Sequence, residues 1–261
     1  MRFFFPFCTL VSRELIRFFR QPLRLAGLIL TPFLYCIVVS AGIGNTLTYD
    51  ALPDQVTYGA FTFPGIMILL VFYSAIFSPV STVEDRKEGF LQSILSAPIS
   101  PASLVFAKIF AASLLALVQT TLMLGLAPLL GIPLPWNSIG MIVAVVGLVA
   151  IGFAGLGFVI AWLSDSVHSF QVVAHIFIIP LWLLAGAIVP LPAESWINVI
   201  NYVNPMFYAV AAVQTAFYPD LLEQSITLDF QQTMIGCGVF AVATFLAGYI
   251  LLLSRTRFAA H

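Results

Sequence analysis

Six stretches of the sequence contain no aspartate, glutamate, lysine or arginine, and each is long enough to cross a lipid bilayer. They are residues 25–49, 55–83, 109–164, 166–193, 195–219 and 230–254. A membrane-spanning helix needs about 20 consecutive apolar residues. Only 8% of the chain is charged and 61% is hydrophobic, whereas soluble domains carry about 25% charged residues. The sequence therefore predicts an all-α, multi-pass membrane protein with one transmembrane domain over residues 1–261.

Prolines, glycines and polar residues divide these stretches into six predicted spans and one segment that does not fit a span. The spans are predicted at residues 25–44, 60–82, 101–124, 138–163, 170–189 and 232–253. The remaining segment contains Asn198, Asn201 and Asn204-Pro205. Non-helical backbone inside a bilayer requires cover from protein or water, so we expect short re-entrant or interfacial helices over residues 193–217.

The positions of the basic residues predict the orientation in the membrane. With six spans and both termini in the cytoplasm, nine of the ten lysine and arginine residues lie on cytoplasmic segments, as the positive-inside rule requires. The tenth, Lys108, lies two turns into the third span, and we expect it, like Asp165, at the membrane interface rather than buried. Counting residues 195–218 as a span would place Arg255 and Arg257 outside, so the charges favour external re-entrant helices.

Residues 10–20, LVSRELIRFFR, have the pattern of a helix that lies in the membrane interface. At 100° per residue, one narrow arc carries the arginines, namely Arg13, Arg17 and Arg20. The opposite side carries the apolar residues, namely Val11, Leu15, Phe18 and Phe19. This separation predicts guanidinium groups directed toward anionic lipid headgroups. A basic flank that only sets the topology is the alternative.

The densest group of charges lies between the second and third predicted spans, at residues 84–88. Gly89 permits a sharp turn into a short helix that Pro98 ends. The apolar side of this helix carries Phe90, Leu91, Ile94 and Leu95. An amphipathic cytoplasmic helix beside alternating charges suits docking into a groove of another protein. The alternative is a solvated loop that only joins two spans.

No catalytic or nucleotide-binding motif occurs in the sequence. Neither Lys87 nor Lys108 has the glycine spacing of a phosphate-binding loop, and no HExxH, CxxC or GxSxG motif is present. We therefore expect no catalytic residue, metal site or cofactor in this chain, and no nucleic-acid partner. An ionisable residue in a span is a candidate functional residue, so His175, with Phe72 and Tyr73, is a candidate for lining a transport path. Packing or lipid contact is the alternative for each.

Residues 88–100, EGFLQSILSAPIS, resemble the E-x-G-T-L-E-x-L-L-x-x-P-I-S signature of type-two ATP-binding-cassette (ABC) exporter permeases. Phe90 and Gln92 stand where that family often has threonine and glutamate. Leu191-Pro192, followed by residues 204–209 (NPMFYA), is similar to the LP…NPxxYA element of the same family. The order of a basic N-terminal helix, six spans and an external re-entrant pair is also similar.

The resemblance implies a permease subunit of an exporter of drugs, lipids or polysaccharides in the bacterial cytoplasmic (inner) membrane. Two permeases, a homodimer or a close heterodimer, would form the path, and a separate ATPase would bind ATP and Mg²⁺. Residues 88–97 would be the coupling helix that docks on this ATPase, together with the N-terminal helix. The implied coupling residues are Glu84, Arg86, Glu88, Gly89, Phe90, Leu91, Ile94, Leu95 and Pro98. The implied residues of the external re-entrant element are Asn204, Pro205 and Tyr208. A membrane scaffold or assembly factor without transport is the alternative function.

Overall fold

The computed structural model describes residues 3–22, 58–91, 100–188, 197–218 and 228–258, apart from isolated positions between these ranges. Every regular element within these ranges is a helix. The predicted first span, residues 25–44, lies largely outside the described residues. The same holds for most of the predicted coupling helix after residue 91.

Nine α-helices are described: α1 (Phe4–Phe19), α2 (Tyr58–Phe77), α3 (Ser81–Lys87), α4 (Pro101–Leu126), α5 (Ile139–Leu163), α6 (Val167–Leu184), α7 (Ile197–Asn201), α8 (Pro205–Phe217) and α9 (Phe230–Phe258). Short 3-10 turns at Ser78–Val80, Ala127–Leu130 and Trp136–Ser138 connect or extend some of them.

Five helical segments are long and apolar enough to cross a membrane, namely Tyr58–Lys87, Ala102–Leu129, Trp136–Leu163, Val167–Leu184 and Phe230–Ser254. They coincide with the second to sixth predicted spans, so the all-α membrane class and these five spans are confirmed. The second span continues further than expected, because α2, the 3-10 turn and α3 follow one another as far as Lys87. Gly89 ends this helix with a φ of 74°, a left-handed conformation that glycine adopts without steric penalty.

Helices α2 and α5 form the centre of the protein and run parallel to each other. The rings of Phe72 and Phe153 lie 4.5 Å apart, centroid to centroid. One turn further along both helices, a Cβ atom at Gly157 would lie 2.6 Å from the carbonyl oxygen of Ile76. Small residues allow helices in lipid to approach this closely. Glycine at position 157 is therefore what permits the close contact between the two backbones.

The parallel course of α9 beside α5 defines two ends of the molecule. Gly152 of α5 lies against Ala241 of α9, and Gly155 lies against Thr244. One end of the molecule therefore contains the last turns of α3, α5 and α9 and the first turns of α4 and α6. All lysines and arginines in the described ranges lie in α1, in α3, in the first turns of α4, at the end of α9 or at Arg20. We call this the charged end, and the opposite one the far end.

Helices α7 and α8 lie at the far end and are too short to cross a bilayer. The thirteen residues of α8 extend over about 20 Å at 1.5 Å per residue, whereas the hydrocarbon core is about 30 Å thick. Asn201 donates a hydrogen bond to the carbonyl of Leu184 at the end of α6, at 2.8 Å. The Tyr218 hydroxyl donates to the carbonyl of Ala60 at the start of α2, at 3.0 Å. Residues 197–217 thus form two short helices against the ends of two spans.

Candidate functional site

Six charged side chains from three helices meet at the charged end. We call them the charge cluster: Arg13, Glu14 and Arg17 of α1, Glu84 and Asp85 of α3, and Lys108 of α4. Three cations face three anions, so the cluster carries no formal net charge. It joins helices that are distant in sequence, since Lys108 lies 94 positions after Glu14.

Lys108 is the centre of the cluster and is almost completely buried, with 2% of its surface exposed. Its ammonium group donates three hydrogen bonds, to Glu14 Oε1 at 2.7 Å, Asp85 Oδ2 at 2.6 Å and Ser81 Oγ at 2.9 Å. These bonds use all three donors of the group. Ser81 in turn donates to Glu14 Oε2 at 2.7 Å. The buried cation is therefore fully paired, as a charge removed from water must be.

Asp85 is completely buried and receives hydrogen bonds from three cations. Arg13 binds it with both terminal nitrogens, at 2.7 and 3.2 Å, and Arg17 donates to the same carboxylate at 3.0 Å. Arg17 also donates to Glu84 at 2.9 Å. The hydrogen bond to Asp85 raises the pKa of the Arg13 guanidinium above its usual value. Paired, charge-assisted bonds of this kind are among the stronger side-chain hydrogen bonds.

Helix α1 is present, and two of its arginines have protein partners that the sequence did not predict. Arg13 and Arg17, both partly exposed, bind carboxylates of α3. Arg20 is exposed, Phe19 is exposed, and Phe18 is buried. A helical wheel groups the arginines on one arc but does not identify what covers that arc. The helix also begins at Phe4 rather than near residue 10.

The predicted interfacial position of Lys108 is wrong. Its long side chain reaches Glu14 and Asp85 inside the protein instead of extending toward water. Asp165, which was expected at an interface as well, is exposed just after α5. The interior partners of Lys108 were missed because neither carboxylate lies on the same helix.

The cluster lies directly beside the start of the predicted coupling helix. The Arg13 guanidinium lies 3.8 Å from the ring centroid of Phe90, within the range of a cation–π contact. Leu91 is buried, whereas Glu88 is 62% exposed and lies 3.9 Å from Arg17. The first residues after Gly89 are thus held against α1. Three further predicted coupling residues, Ile94, Leu95 and Pro98, lie outside the described residues.

Arg86, one of the implied coupling residues, binds the end of α5. Its guanidinium donates to the carbonyls of Ser164 at 3.0 Å and Trp162 at 2.8 Å, and its carbon lies 5.3 Å from the centroid of the Trp162 ring. The last carbonyls of a helix have no partner within it, and a cation there also complements the helix dipole. Arg86 therefore connects α3 to α5.

Of the three candidates for lining a path, two lie close together and the third packs in the interior. Phe72 is completely buried and packs against Phe153 in the interior. His175 of α6 is exposed, and its ring lies 6.0 Å from that of Tyr73, which is half-buried. Because the carbonyl of Gln171 can only accept, Nδ1 of His175 donates the hydrogen bond between them, at 2.8 Å.

The residues of the predicted external element shape the turn between α7 and α8. Asn204 caps α8, since its side-chain oxygen accepts from the Met206 amide at 3.0 Å, and Pro205 occupies the first helical position. Both choices suit a helix start. The Tyr208 hydroxyl donates to the carbonyl of Tyr202 at 2.8 Å. These residues therefore have a structural role in the turn.

The charge cluster connects helices through ion pairs. Each carboxylate is already bound by cations, and the described residues contain no group of three or more histidines, cysteines or acids placed to hold a metal ion. The cluster connects α1, α3 and α4, and Arg86 adds α5. Four helices of the charged end are thereby linked around the segment that begins at Glu88.

The sequence matches the family model of the ABC-2 type transporter over residues 6–218. The chain belongs to this family. It is therefore the membrane subunit of an ABC transporter, whose partner is an ABC ATPase, and permease subunits of this kind are not themselves catalytic. The resemblance seen in residues 88–100 and 204–209 is confirmed by this match.

Named relatives of this permease agree with the family. It is 28% identical to "Putative transport permease ycf38" of Cyanophora paradoxa over 257 residues, which cover 93% of the chain and 86% of the relative. It is 26% identical to the protein of the same name from Porphyra purpurea, over 79% of the chain and 72% of the relative. It is also 26% identical to "Probable doxorubicin resistance ABC transporter permease protein DrrC" of Mycobacterium tuberculosis, over 78% and 73% of the two chains.

Proposed function

We propose that this permease docks on a separate ATPase through residues 88–97 and α1, and uses ATP hydrolysis in that partner to export a substrate. The observation that carries the proposal is the charge cluster beside the start of this segment. Through Arg13 and Phe90 the cluster holds the segment against α1, and through Lys108 it holds α3 against α4. A partner that pushes on the segment would therefore act on several helices together.

The route of the motion follows from the continuity of the helices. Helices α2 and α3 are joined only by the 3-10 turn at Ser78–Val80, so displacement of α3 moves α2, the most buried span. Lys108 would carry the motion to α4, and Arg86 would carry it to α5. In this proposal ATP and Mg²⁺ are bound by the ATPase, while this chain supplies position and motion but no catalytic residue.

Export of a drug, lipid or polysaccharide is the activity that we propose for the assembled transporter. The name of the Mycobacterium tuberculosis relative, which refers to doxorubicin resistance, favours a drug or another amphiphile. Two copies of the chain would enclose the path, with Tyr73 and His175 as candidate lining residues. We further propose the bacterial cytoplasmic membrane, with both termini in the cytoplasm and residues 193–217 as the external re-entrant element.

A charge reversal at Glu88 tests the docking role. The side chain of Glu88 is 62% exposed and lies 3.9 Å from Arg17, so we expect Glu88→Lys to leave the fold intact while changing the proposed docking surface. Asp229→Lys is the matched control, because Asp229 is an exposed acid at the start of α9, at the far end. The permease is co-expressed with its ABC ATPase partner and reconstituted in lipid vesicles.

We expect Glu88→Lys to abolish the stimulation of ATPase activity by the permease and Asp229→Lys to preserve it. Normal stimulation in the Glu88 variant would refute docking through this segment. Uptake of cargo by inverted vesicles tests transport separately. ATP-dependent movement of any cargo excludes the scaffold function, whereas a stable complex that moves none of a panel of drugs, lipids and glycolipids favours it.

A further inference from the structure

Two buried polar groups, one on α3 and one on α5, have no hydrogen-bond partner among the described residues. They are the hydroxyl of Thr82, completely buried, and the indole N–H of Trp162, 3% exposed. Other hydroxyls in the helices, such as that of Ser113, donate to the carbonyl one turn earlier, here that of Ile109 at 2.7 Å, although the buried hydroxyls of Ser74 and Thr120 do not. An unpaired polar group in an apolar interior is strongly disfavoured, so each of these groups requires a partner.

The register of the two helices brings these groups to the same level. Phe72 packs on Phe153, and Ile76 lies against Gly157, so both pairs have the same offset along the parallel helices. The same register, continued toward the charged end, places Thr82 level with Leu163, the residue that follows Trp162. Arg86 follows Thr82 by one turn and lies over the Trp162 ring at 5.3 Å.

We propose that one ordered water molecule binds between Thr82 and Trp162 and connects α3 to α5 beneath Arg86. The indole N–H can only donate, whereas a hydroxyl can donate and accept. A water oxygen accepts from the indole N–H, and its hydrogens can reach the Thr82 oxygen and the nearby carbonyls at the end of α5. Internal waters are typically held by two to four such bonds. The site is specific for water or another small hydrogen-bonding molecule.

Nuclear magnetic resonance of the full chain in lipid nanodiscs tests this site, with the tryptophans labelled with ¹⁵N. The chain has four tryptophans, and single Trp→Phe variants assign their indole signals. Trp182 is the matched internal control, because it is 5% exposed and its indole N–H donates to the carbonyl of Gly65 at 2.8 Å. The two indoles are nearly equally buried and differ in their hydrogen-bond partners.

We expect a magnetisation-transfer cross-peak with water for the Trp162 indole and none for Trp182. Thr82→Val, which keeps the shape but removes the hydroxyl, should eliminate the cross-peak, and Thr82→Ser should retain it. A Trp162 indole that shows no contact with water in the wild-type chain overturns the proposal, as would a cross-peak unchanged by Thr82→Val. If Thr82→Val does not fold, comparing the Trp162 and Trp182 indoles in the wild-type chain still decides whether Trp162 contacts water.

Discussion

Substitution of Lys108 by methionine is the most direct test of the charge cluster. Methionine retains an unbranched apolar chain of similar length but has no ammonium group. The change leaves Glu14 without its shortest ion pair, at 2.7 Å, and leaves it buried. Asp85 loses its contact of 2.6 Å but keeps Arg13 and Arg17. Glu14 keeps Arg13 at 3.2 Å and the hydrogen bond from Ser81 at 2.7 Å, so Lys108→Met weakens the pairing of two buried carboxylates.

The size of the effect follows from this geometry. Removing one partner of a buried ion pair destabilises a protein by about 3–5 kcal/mol. Because Asp85 keeps two guanidinium partners, we expect the lower end of this range, about 3 kcal/mol. A large domain loses about 2–4 °C of Tm per kcal/mol. Lys108→Met should therefore lower the unfolding temperature by roughly 6–12 °C.

Thermal unfolding of the detergent-solubilised protein, followed by tryptophan fluorescence, measures this shift. Arg20→Met is the control, since Arg20 is an exposed cation just after α1, and its Tm should stay near the wild-type value. The double variant Glu14→Gln/Lys108→Met removes an anion and a cation together, and we expect it to recover more than half of the loss. Simple additivity of the two single changes would contradict direct coupling. A Lys108→Met shift no larger than that of Arg20→Met would refute the importance of the cluster.

Two further pairs of substitutions test the interior. Gln119 is buried with no partner for its amide among the described residues, whereas Gln214, equally buried, donates to a backbone carbonyl at 3.4 Å. Gln119→Leu should therefore raise the unfolding temperature and Gln214→Leu should lower it, each by the equivalent of about 1 kcal/mol. Equal losses of stability in the two variants would refute this distinction. A Cβ at Gly157 would lie 2.6 Å from the Ile76 carbonyl oxygen, whereas one at Gly147 meets only a side chain at 3.9 Å. Gly157→Ala should sharply reduce the yield of monodisperse protein in size-exclusion chromatography and Gly147→Ala should not, so a normal yield for Gly157→Ala would count against the close contact of α2 and α5.

The five described spans could be predicted from the sequence because the bilayer itself fixes their length and polarity. A run such as residues 139–163, without a charge, has few soluble alternatives. The break between α4 and α5 was also visible, since Gly131 and the prolines after it cannot continue a helix, and Gly131 has a φ of 72°. These signals are local, so they need no knowledge of the fold.

The charge cluster could not be predicted in the same way because its pairs are distant in sequence. A hydropathy analysis places Lys108 near the end of a span. The residues around Lys108 in the sequence do not indicate that Glu14 lies beside it. One signal did exist: a lysine well inside a span requires a buried anion or a route to water. The nearest acids on other helices are those of residues 14 and 84–88, but choosing among them requires the packing of α1 against α4.

The position of Arg86 was missed for a related reason. Its neighbours in sequence are Asp85 and Lys87, one completely buried and the other exposed. The sequence shows a single group of charges, but α3 directs successive side chains about 100° apart, so adjacent residues serve different purposes. Asp85 faces α1 and α4, and Arg86 faces α5. A charged segment at the end of a span can therefore be a set of internal joints as well as a docking surface.

The arrangement of these joints explains why a buried ion cluster suits a coupling element. Replacing such a cluster by apolar residues often leaves a protein equally stable, so its value lies more in fixing one arrangement than in stability. Apolar contacts between α1 and α3 would tolerate small sliding, because dispersion varies gradually along a uniform surface. Asp85, bound by three cations within 3.0 Å at the shortest contact of each, has no second position of similar energy nearby. Displacement of α1 alone would break several charge-assisted bonds at once, whereas displacement of α1, α3 and α4 together would break none of the bonds within the charge cluster. Motion imposed beside Glu88 should therefore move these three helices as one unit.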